Sequence, residues 1–312
     1  MKSRQVEDSV LLSLCIPTNG IVKWVIPVID SIYAQQVDNA LFEVVITDNG
    51  KADDLSKAIA DYSYPNLHYY HTTSEGFTNQ IDAFEKCSGM FCKMLNHRSR
   101  MLPGSIEKII TLVKRYQESK PILYFAEGNA KGGDIIECTN VDEFVRSMSY
   151  WVSWSAGTGA WKEDIVDLRN KEIDKMFPHT IYLFGLRDES KYVIWNEKYE
   201  VMADESGKGG YDLYYTFGVI FLDLVNTLRT NGRISLDTFV RVKDDLFIFL
   251  RGLYLSEAIL PTNRTFILQN IPQSMDVYYG RLYYWKMVIG AWLRLPIAIF
   301  RKCVSTVYRR FK

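Results

Sequence analysis

The sequence predicts an α/β fold: a parallel sheet covered by helices on both faces, followed by a C-terminal helical extension. Short apolar runs alternate with helical patterns over the first half of the chain, and the connections between them are short. Beyond about residue 186 the strand patterns give way to helical ones. We therefore predict a sheet domain over residues 1–185, a helical extension over 186–280 and a separate basic segment over 281–312.

The predicted strands are short apolar runs that end at turn-forming residues. They cover residues 10–16, 42–47, 67–71, 91–95 and 122–125. Continuous runs of this length are typical of parallel strands that are buried on both faces. Helices are predicted where apolar residues recur at helical spacing, as at Trp24, Val28 and Ile32. The other predicted helices cover residues 53–62, 78–87, 104–113, 141–150, 211–229, 235–252 and 252–260.

The composition is that of an ordinary globular protein. The 312 residues are 47% hydrophobic and 24% charged, which excludes disorder and allows a core of normal size. The 37 basic residues balance 37 acidic ones, so we expect no nucleic-acid partner. The five cysteines lack metal-ligand spacing, and Cys15 and Cys92 lie in apolar runs that predict their burial. A polar N-terminus and the lack of a long uncharged apolar run predict a cytoplasmic protein.

Polar and small residues follow the predicted strands, where ligands bind in open parallel sheets. These segments are Pro17–Gly20, Asp48–Gly50, Ser74–Gly76 and Asn96–Arg100. The Asp48 carboxylate is suited to accept hydrogen bonds from a base or ribose, and Arg98 and Arg100 are suited to neutralise a phosphate. The spacing equally allows an alternative, in which Asp48–Gly50 is simply a turn and both arginines are solvated.

Four segments of this region resemble the inverting glycosyltransferases of family 2, which have the GT-A fold. The segments are Leu14–Asn19 (LCIPTN), Glu43–Asp53 (EVVITDNGKAD), Glu75–Gly89 and Met101–Ser105 (MLPGS). Over residues 11–110 they follow the order and spacing of that family. The remainder is similar, less tightly, to bacterial surface-polysaccharide members such as abequosyltransferase-like proteins, through Glu143–Phe144 and Ser155–Lys162. The resemblance implies a GT-A-type, Rossmann-like nucleotide-binding mixed sheet that is flanked by helices.

The resemblance also implies which residues bind the donor. The residues implied to contact the nucleotide are Pro17, Thr18, Asn19, Asp48, Asn49, Gly76 and Asn96. Among these, Asp48 would hydrogen-bond the base, and Gly76 would let the backbone approach the nucleotide.

Asn96 and Arg98 occupy the positions where the family usually carries its Asp-x-Asp metal motif. A hard divalent cation prefers carboxylate oxygens, and a guanidinium has no lone pair to offer. We therefore expect no metal ligands and no cofactor, because the motif does not support a divalent cation. Two explanations stay open: Arg98 and Arg100 replace the metal by neutralising the leaving diphosphate, or the protein has lost catalysis and only binds.

An inverting transfer also needs a general base for the acceptor hydroxyl. Where the family places an acid at a helix start, this chain has Phe177–Phe184. His179 is the candidate base, because it follows a proline suited to a helix start and because imidazole titrates near neutral pH. The alternative is a histidine that caps or packs at that helix start. Asp164 and Asp174 are fallback carboxylates.

These features predict a hexosyl- or related glycosyltransferase. It would move a sugar from a nucleotide-diphospho-sugar donor to a glycan or lipid-linked acceptor in bacterial surface polysaccharide synthesis, such as O-antigen or capsule. The competing hypothesis is a catalytically inactive nucleotide-sugar-binding or scaffold subunit of a polysaccharide assembly complex. A nucleotidyltransferase is disfavoured, since Pro17–Gly20 is not a glycine-rich phosphate loop.

Residues 285–312 contain seven basic residues and no acidic one. Arg294, Arg301 and Arg309 are seven and eight positions apart, so a helix places them on one face, beside an apolar stripe over residues 292–307. Adjacent basic and apolar stripes are typical of a helix that lies in an anionic membrane surface. The alternative is that the apolar stripe packs on the helical extension. The segment thus predicts a peripheral protein on the inner face of the cell membrane.

Overall fold

The structure is a computed structural model that describes residues 10–165, 168, 171–187, 191–260 and 263–310, with side chains up to residue 300. The predicted N-terminal features and the basic side chains beyond residue 300 lie outside the described residues. The chain divides after Asp204 into two compact units.

The first unit is built from ten strands and six α-helices among the described residues. The strands are β1 Leu12–Thr18, β2 Phe42–Asp48, β3 Leu67–His71, β4 Phe91–Met94, β5 Ser99–Met101, β6 Ile122–Phe125, β7 Ile135–Cys138, β8 Gly159–Trp161, β9 Tyr192–Trp195 and β10 Glu200–Met202. The helices are α1 Val22–Tyr33, α2 Asp54–Ala60, α3 Asn79–Glu85, α4 Ser105–Tyr116, α5 Val141–Met148 and α6 Thr180–Phe184.

The central sheet has the strand order β3-β2-β1-β4-β8. The first four strands are parallel, and β8 is antiparallel to β4. A second sheet has the order β6-β9-β7, and β5 pairs with β10. The predicted α/β class, with a mixed and mainly parallel sheet, is therefore confirmed.

Burial on both faces explains why the apolar segments that contain β1 and β2 form central strands of the sheet. Every residue of β2 is buried, and β1 is buried at all but one position. Helix α1 covers the sheet with one face, which carries Trp24, Val25, Val28, Ile29 and Ile32. Cys15 and Cys92 are fully buried, as their apolar surroundings predicted.

A buried polar network joins β1 and β2 to the segment before β4. The Ser13 hydroxyl donates to Glu43 Oε1 at 2.5 Å, and the Ser88 amide donates to the same oxygen at 2.6 Å. The Gly89 amide donates to Ser13 Oγ at 2.9 Å. Because a slip of one residue would break these bonds, the network helps to set the register that brings the three carboxyl ends together.

The boundary between the units differs from the predicted one at residue 185. Residues 192–195 form β9, which pairs with β6 and β7, and residues 200–202 form β10, which pairs with β5. These pairings are non-local, so the chain passes back through the sheet unit before it leaves at Asp204.

The second unit is mainly helical, as predicted for the extension. Its helices are α7 Leu213–Tyr215, α8 Leu222–Thr230, α9 Leu236–Leu253, α10 Ile271–Tyr279 and α11 Arg281–Arg310, with π-helical turns over Thr216–Phe221 and Tyr254–Ile259. Two short strands, β11 Gly209–Asp212 and β12 Thr265–Ile267, pair in parallel. Within the described part of the chain, no helix has the length and apolar character needed to cross a membrane.

Candidate functional site

The strand order reverses between β1 and β4. The chain runs from β1 outward to β2 and β3, and then returns to place β4 on the other side of β1. In open α/β sheets, ligands bind at such a switch point, outside the carboxyl ends of the strands. Thr18, at the end of β1, and His97, just after β4, meet here, with 2.9 Å between Thr18 Oγ1 and His97 Nδ1. The structure thus brings together two of the predicted segments.

Asp48 ends β2 beside Thr18 and is fully buried. Its Oδ1 accepts a hydrogen bond from the Gly50 amide at 2.7 Å, and its Oδ2 accepts one from the Tyr69 hydroxyl at 2.9 Å. Both oxygens therefore shape the turn, as the turn alternative predicts. A Cβ at position 50 would lie 2.4 Å from the Asn19 carbonyl oxygen, so the turn requires glycine. Direct contact between Asp48 and a base stays a prediction.

Side-chain amides tie the loop after β3 to its neighbours. Asn49 Nδ2 donates to the carbonyl oxygens of Ser74 at 2.8 Å and Gly76 at 3.0 Å. The buried Asn79 donates to the Thr18 carbonyl oxygen at 3.1 Å. Gly76 adopts φ +55, with open space where a side chain would be. The loop therefore leaves room for a ligand to approach the backbone at Gly76.

His97 links the two sides of the crevice. Its Nε2 faces Arg98 Nε at 3.4 Å, and its ring centroid lies 5.4 Å from that of Trp24. Because Nε2 faces a donor, we infer that the proton of the neutral ring lies on Nδ1 and is donated to Thr18. Burial, and then the charge of Arg98, lower the pKa of His97 to about 3. His97 is therefore neutral at physiological pH.

Arg98 is a fixed cation at the switch point. Its guanidinium carbon lies 3.3 Å from the centroid of the Trp24 ring, and its backbone amide donates to Asn96 Oδ1 at 3.0 Å. Trp24 is itself oriented, because its Nε1 donates to Asp204 Oδ2 at 3.0 Å. Stacking occupies the face of a guanidinium and leaves its N–H groups in the plane, the geometry used for bidentate contacts with phosphate.

Arg100 has a different environment. It lies on β5 and is exposed, whereas its neighbours Ser99 and Met101 are buried. Successive residues of a strand face opposite sides, so Arg100 is directed away from the packed side of β5. The alternative in which both arginines are solvated is therefore correct for Arg100 but not for Arg98, which is buried.

Residues 96–98 do not fit a divalent metal. Asn96 Oδ1 already accepts a hydrogen bond, both ring nitrogens of His97 are engaged, and Arg98 is a cation. Across the described residues, no group of three or more His, Cys, Asp or Glu side chains is placed to hold a metal ion. The metal that the family resemblance implies at these positions is thus poorly matched to the side chains present.

The candidate bases are engaged in structural contacts. His179 is buried, with Nε2 3.2 Å from the Val152 carbonyl oxygen, and its Nδ1 lacks a hydrogen-bond partner within the described part of the chain. Burial lowers the pKa of His179 to about 4, which makes it a weak base. Asp164 forms two hydrogen bonds with Arg187, at 2.9 and 2.6 Å. Asp174 accepts two backbone amides that follow it, at 2.8 and 2.7 Å. The packing alternative fits His179, and the identity of the base stays a prediction.

A cluster of buried ionisable side chains lies around β4 and was not predicted from the sequence. Lys93, in β4, is fully buried, and its Nζ donates to the Ala156 carbonyl oxygen and, at 3.1 Å, to the Tyr199 hydroxyl. Burial lowers the pKa of Lys93 to about 8. Burial raises the pKa of the neighbouring Glu200 well above its usual range. The only signal in the sequence is a lysine inside an apolar strand, which does not identify its partners.

Trp24 was predicted only as a position on the apolar face of a helix. Its contact with Arg98 depends on how α1 packs against β5, the strand that follows Arg98, and the spacing of apolar residues does not show this packing.

Residues 13–134 match the sequence model of Glycosyl transferase family 2. The matched range is less than half of the chain, and it contains the four segments that resemble this family. No curated protein matches the chain.

The chain is similar in structure to Staphylococcus aureus TarS 1-349, with a TM-score of 0.55 at 12% identity over 80% of this chain and 76% of that one. TarS 1-349 in complex with UDP gives a TM-score of 0.50 at 13% identity, covering 79% and 72% of the two chains. The complex with UDP-GlcNAc gives 0.50 at 12% identity, covering 78% and 72%. At these identities the likeness concerns the fold, and it confirms the predicted GT-A-type architecture.

Proposed function

We propose that this protein transfers a sugar from a nucleotide-diphospho-sugar to a glycan or lipid-linked acceptor in the synthesis of a cell-surface polysaccharide. The observation that carries the proposal is Arg98, a cation stacked on Trp24 at the switch point of a family 2 glycosyltransferase domain. The TarS structures in complex with UDP and UDP-GlcNAc support a donor of this class. The segments that resemble surface-polysaccharide members favour a product such as O-antigen or capsule.

In the proposed reaction, the acceptor hydroxyl oxygen attacks the anomeric carbon from the side opposite the diphosphate. The bond from that carbon to the diphosphate oxygen breaks, the configuration inverts, and the hydroxyl proton passes to a base. Negative charge develops on the leaving diphosphate, where the positive charge of the Arg98 guanidinium would stabilise it. His179 remains the sequence-based candidate for the base, and its burial favours a supporting role.

The proposed transfer does not use a metal at residues 96–98. A permanent cation in bidentate contact with phosphate serves the same electrostatic purpose as a bridging divalent ion. A thermal-shift screen of nucleoside diphosphates, each with EDTA and with Mn²⁺, tests this, since a bound ligand raises stability by mass action. We expect at least one diphosphate to stabilise the protein equally in both buffers. Stabilisation that needs Mn²⁺ would contradict metal-free binding.

The second candidate is a nucleotide-sugar-binding or scaffold subunit without catalysis. The engagement of His179, Asp164 and Asp174 in structural contacts favours this alternative. Donor hydrolysis or transfer in the presence of EDTA separates the two. Product formation supports the transferase, whereas tight nucleotide binding with no turnover supports the scaffold.

We also propose that helix α11 attaches the protein to an anionic membrane surface. One face of this helix packs within the second unit, where Met287 and Ala291 are buried. The opposite face carries an apolar stripe of exposed side chains, formed by Leu282 (74% exposed), Trp285 (59%), Ile289 (56%), Leu293 (73%) and Phe300 (69%). The stripe begins at Leu282, nearer the start of the helix than the sequence pattern indicated.

The charge of this segment favours a lipid surface over a second copy of the chain. Residues 281–312 include eight basic residues and no acidic one, so two such faces would repel one another. Near an anionic surface each basic residue contributes about 1 kcal/mol, and the apolar stripe adds burial in the headgroup region. The proposed location is therefore peripheral, on the cytoplasmic face of the membrane.

Sedimentation with vesicles of phosphatidylglycerol and phosphatidylcholine tests the attachment. Truncation of the helix would uncover Met287, so the double variant Trp285→Glu/Leu293→Glu is preferable, with Val277→Glu as a control at an exposed position of α10. We expect the double variant to lose vesicle binding and the control to retain it. Failure of the unaltered protein to sediment at low salt, or a concentration-dependent dimer that the double variant abolishes, would contradict the proposal.

A further inference from the structure

Three aromatic side chains gather in the short segment between α5 and β8. The rings of Tyr150 and Trp151 stack at 5.4 Å between centroids, and Trp154 meets Trp151 at 6.2 Å with an interplanar angle of 66°. All three residues are half-buried, at or beside the 3-10 turn Ser149–Ser153. Ser149 adopts φ +53, a left-handed conformation that favours glycine. Strained backbone of this kind persists where the surroundings hold it in place.

Buried donors hold the backbone of this segment from beneath. The Tyr124 hydroxyl donates to the carbonyl oxygen of Trp151 and, at 3.3 Å, to that of Trp154. The His179 ring contacts the carbonyl oxygen of Val152 at 3.2 Å, where Nε2–H is the donor. This contact gives the buried His179 a role as a positioning residue. The aromatic rings are thus presented by a fixed backbone, which lowers the entropy lost when a ligand binds.

The segment ends at the same edge of the sheet as the donor crevice. The Thr158 carbonyl oxygen accepts a hydrogen bond from the Met94 amide at 3.0 Å, at the end of β4. Asn96–Arg98 follow β4 almost immediately. The strand order therefore lines up three regions along this edge: the Asp48 turn at β2, Arg98 between β1 and β4, and the aromatic segment before β8. Three strand spacings, roughly 14 Å, separate the first region from the last.

We propose that Tyr150, Trp151 and Trp154 form a platform that binds a sugar ring of the acceptor. The acceptor would then already end in a saccharide, rather than in a bare lipid phosphate. A pyranose ring has an apolar C–H face that packs on aromatic rings while its hydroxyl groups stay hydrated. This inference rests on the proposed function and names the acceptor class of the same site.

The order of the three regions favours a sugar, rather than the nucleobase or a phosphate, as the group that binds the platform. The sequence prediction puts the nucleobase at the Asp48 turn, which lies on the far side of Arg98 from the platform in the strand order. A phosphate would need cationic partners, whereas the platform is aromatic. A sugar ring on the platform would lie on the β8 side of Arg98 in the strand order, so that one of its hydroxyl groups would approach the donor from that side.

Saturation-transfer NMR tests the platform without requiring turnover. The probes are methyl glucoside, methyl galactoside and methyl N-acetylglucosaminide, with glycerol phosphate as the comparison, each in the presence of UDP. We expect transfer to the ring C–H protons of at least one glycoside and none to glycerol phosphate. Trp151→Ala and Trp154→Ala should each weaken the binding of that glycoside by about 5- to 10-fold.

Matched variants separate stacking from a general effect on folding. Tyr215→Ala, at an exposed aromatic residue of the second unit, should leave glycoside binding unchanged. Trp154→Phe retains a ring and should preserve most of the affinity. Tyr124→Phe removes only the hydroxyl that holds the segment. It should weaken glycoside binding and lower the unfolding temperature by a few degrees, because two carbonyl oxygens lose their donor, while UDP affinity stays nearly constant.

The outcomes distinguish this inference from the proposed function. UDP binding without a signal from any of the three glycosides would overturn the platform and leave the donor site intact. An undiminished signal in both tryptophan variants would also overturn it. Conversely, a glycoside signal that both variants lose, in a protein that binds no nucleoside diphosphate, would support the platform and count against the donor site.

Discussion

Replacement of Arg98 examines the central feature of the donor site. Arg98→Ala removes the cation that lies 3.3 Å from the Trp24 ring centroid, whereas Arg98→Lys keeps a charge but loses the planar stack and the paired N–H donors. If Arg98 takes the place of a metal, both variants should bind a nucleoside diphosphate less tightly. The alanine variant should be affected more.

The size of the effect follows from the environment of Arg98. A unit charge pair at roughly 4 Å contributes about 4 kcal/mol at an effective dielectric of 20. Part of this is lost because the diphosphate is solvated before it binds, so we expect Arg98→Ala to weaken binding by about 2–3 kcal/mol, or about 30- to 150-fold. Arg98→Lys should cost about 1 kcal/mol. In a turnover assay, kcat should fall at least about 100-fold for the alanine variant.

Isothermal titration with a nucleoside diphosphate, in buffer that contains EDTA, measures these differences. Arg115→Ala is the matched control, because Arg115 is an exposed arginine whose guanidinium also lies over an aromatic ring, 5.2 Å from the centroid of Tyr116. The control should bind like the unaltered protein. The reasoning is refuted if Arg98→Ala binds within twofold of the unaltered protein, or if EDTA abolishes binding and Mn²⁺ restores it.

Three further predictions concern the supports of the site. Asp48→Ala should lower the free energy of unfolding by about 2–4 kcal/mol in urea, because the turn loses two hydrogen bonds to a carboxylate. It should also weaken nucleotide binding by about 1–3 kcal/mol, and a loss of stability alone would limit Asp48 to the turn. Gly157→Ala should lower the unfolding temperature, since a Cβ there would lie 2.4 Å from the Tyr124 ring; an unchanged melting curve would contradict this packing. The pKa values of His97 and His179, about 3 and about 4, lie below the ordinary value near 6.5, so the unfolded chain takes up protons that the folded one does not. The contribution of both histidines to the free energy of unfolding should be fully present above pH 6.5 and should fall as the pH drops, by up to about 1.4 kcal/mol per pH unit for each histidine. His179→Phe should halve the dependence of the free energy of unfolding on pH between pH 6 and 5. Urea midpoints that stay constant from pH 7 to 5 would show that neither ring resists protonation.

Local patterns were sufficient for the fold class and for the resemblance to family 2. The apolar runs of β1, β2 and β4 can be buried only as central strands, because each has apolar side chains on both faces. Turn residues such as Asp48 and Gly50 mark the ends of these strands, and their place in the chain suffices to put them at the carboxyl edge of the sheet. The resemblance to family 2 rests on the same segments, which the family model also matches.

The sequence was less able to predict the roles of individual side chains. Asp48, Arg100 and His179 are the residue types expected of a nucleotide site or a base, yet Asp48 and His179 are buried in structural contacts and Arg100 is exposed on β5. Whether a carboxylate or an imidazole faces a ligand or the interior depends on its neighbours, and for these residues the neighbours come from distant parts of the chain.

The sequence by itself determined the α/β class, the strand ends and the helical character of the second unit, because these depend on the local spacing of apolar and turn residues. Only the tertiary structure decided that Arg98 stacks on Trp24, that Lys93 is buried beside Glu200, and that residues 192–202 return to the sheet unit. Each of these pairings joins segments far apart in the chain. Their free energy comes from desolvation and contact geometry, which exist only once the strands have been ordered around β1.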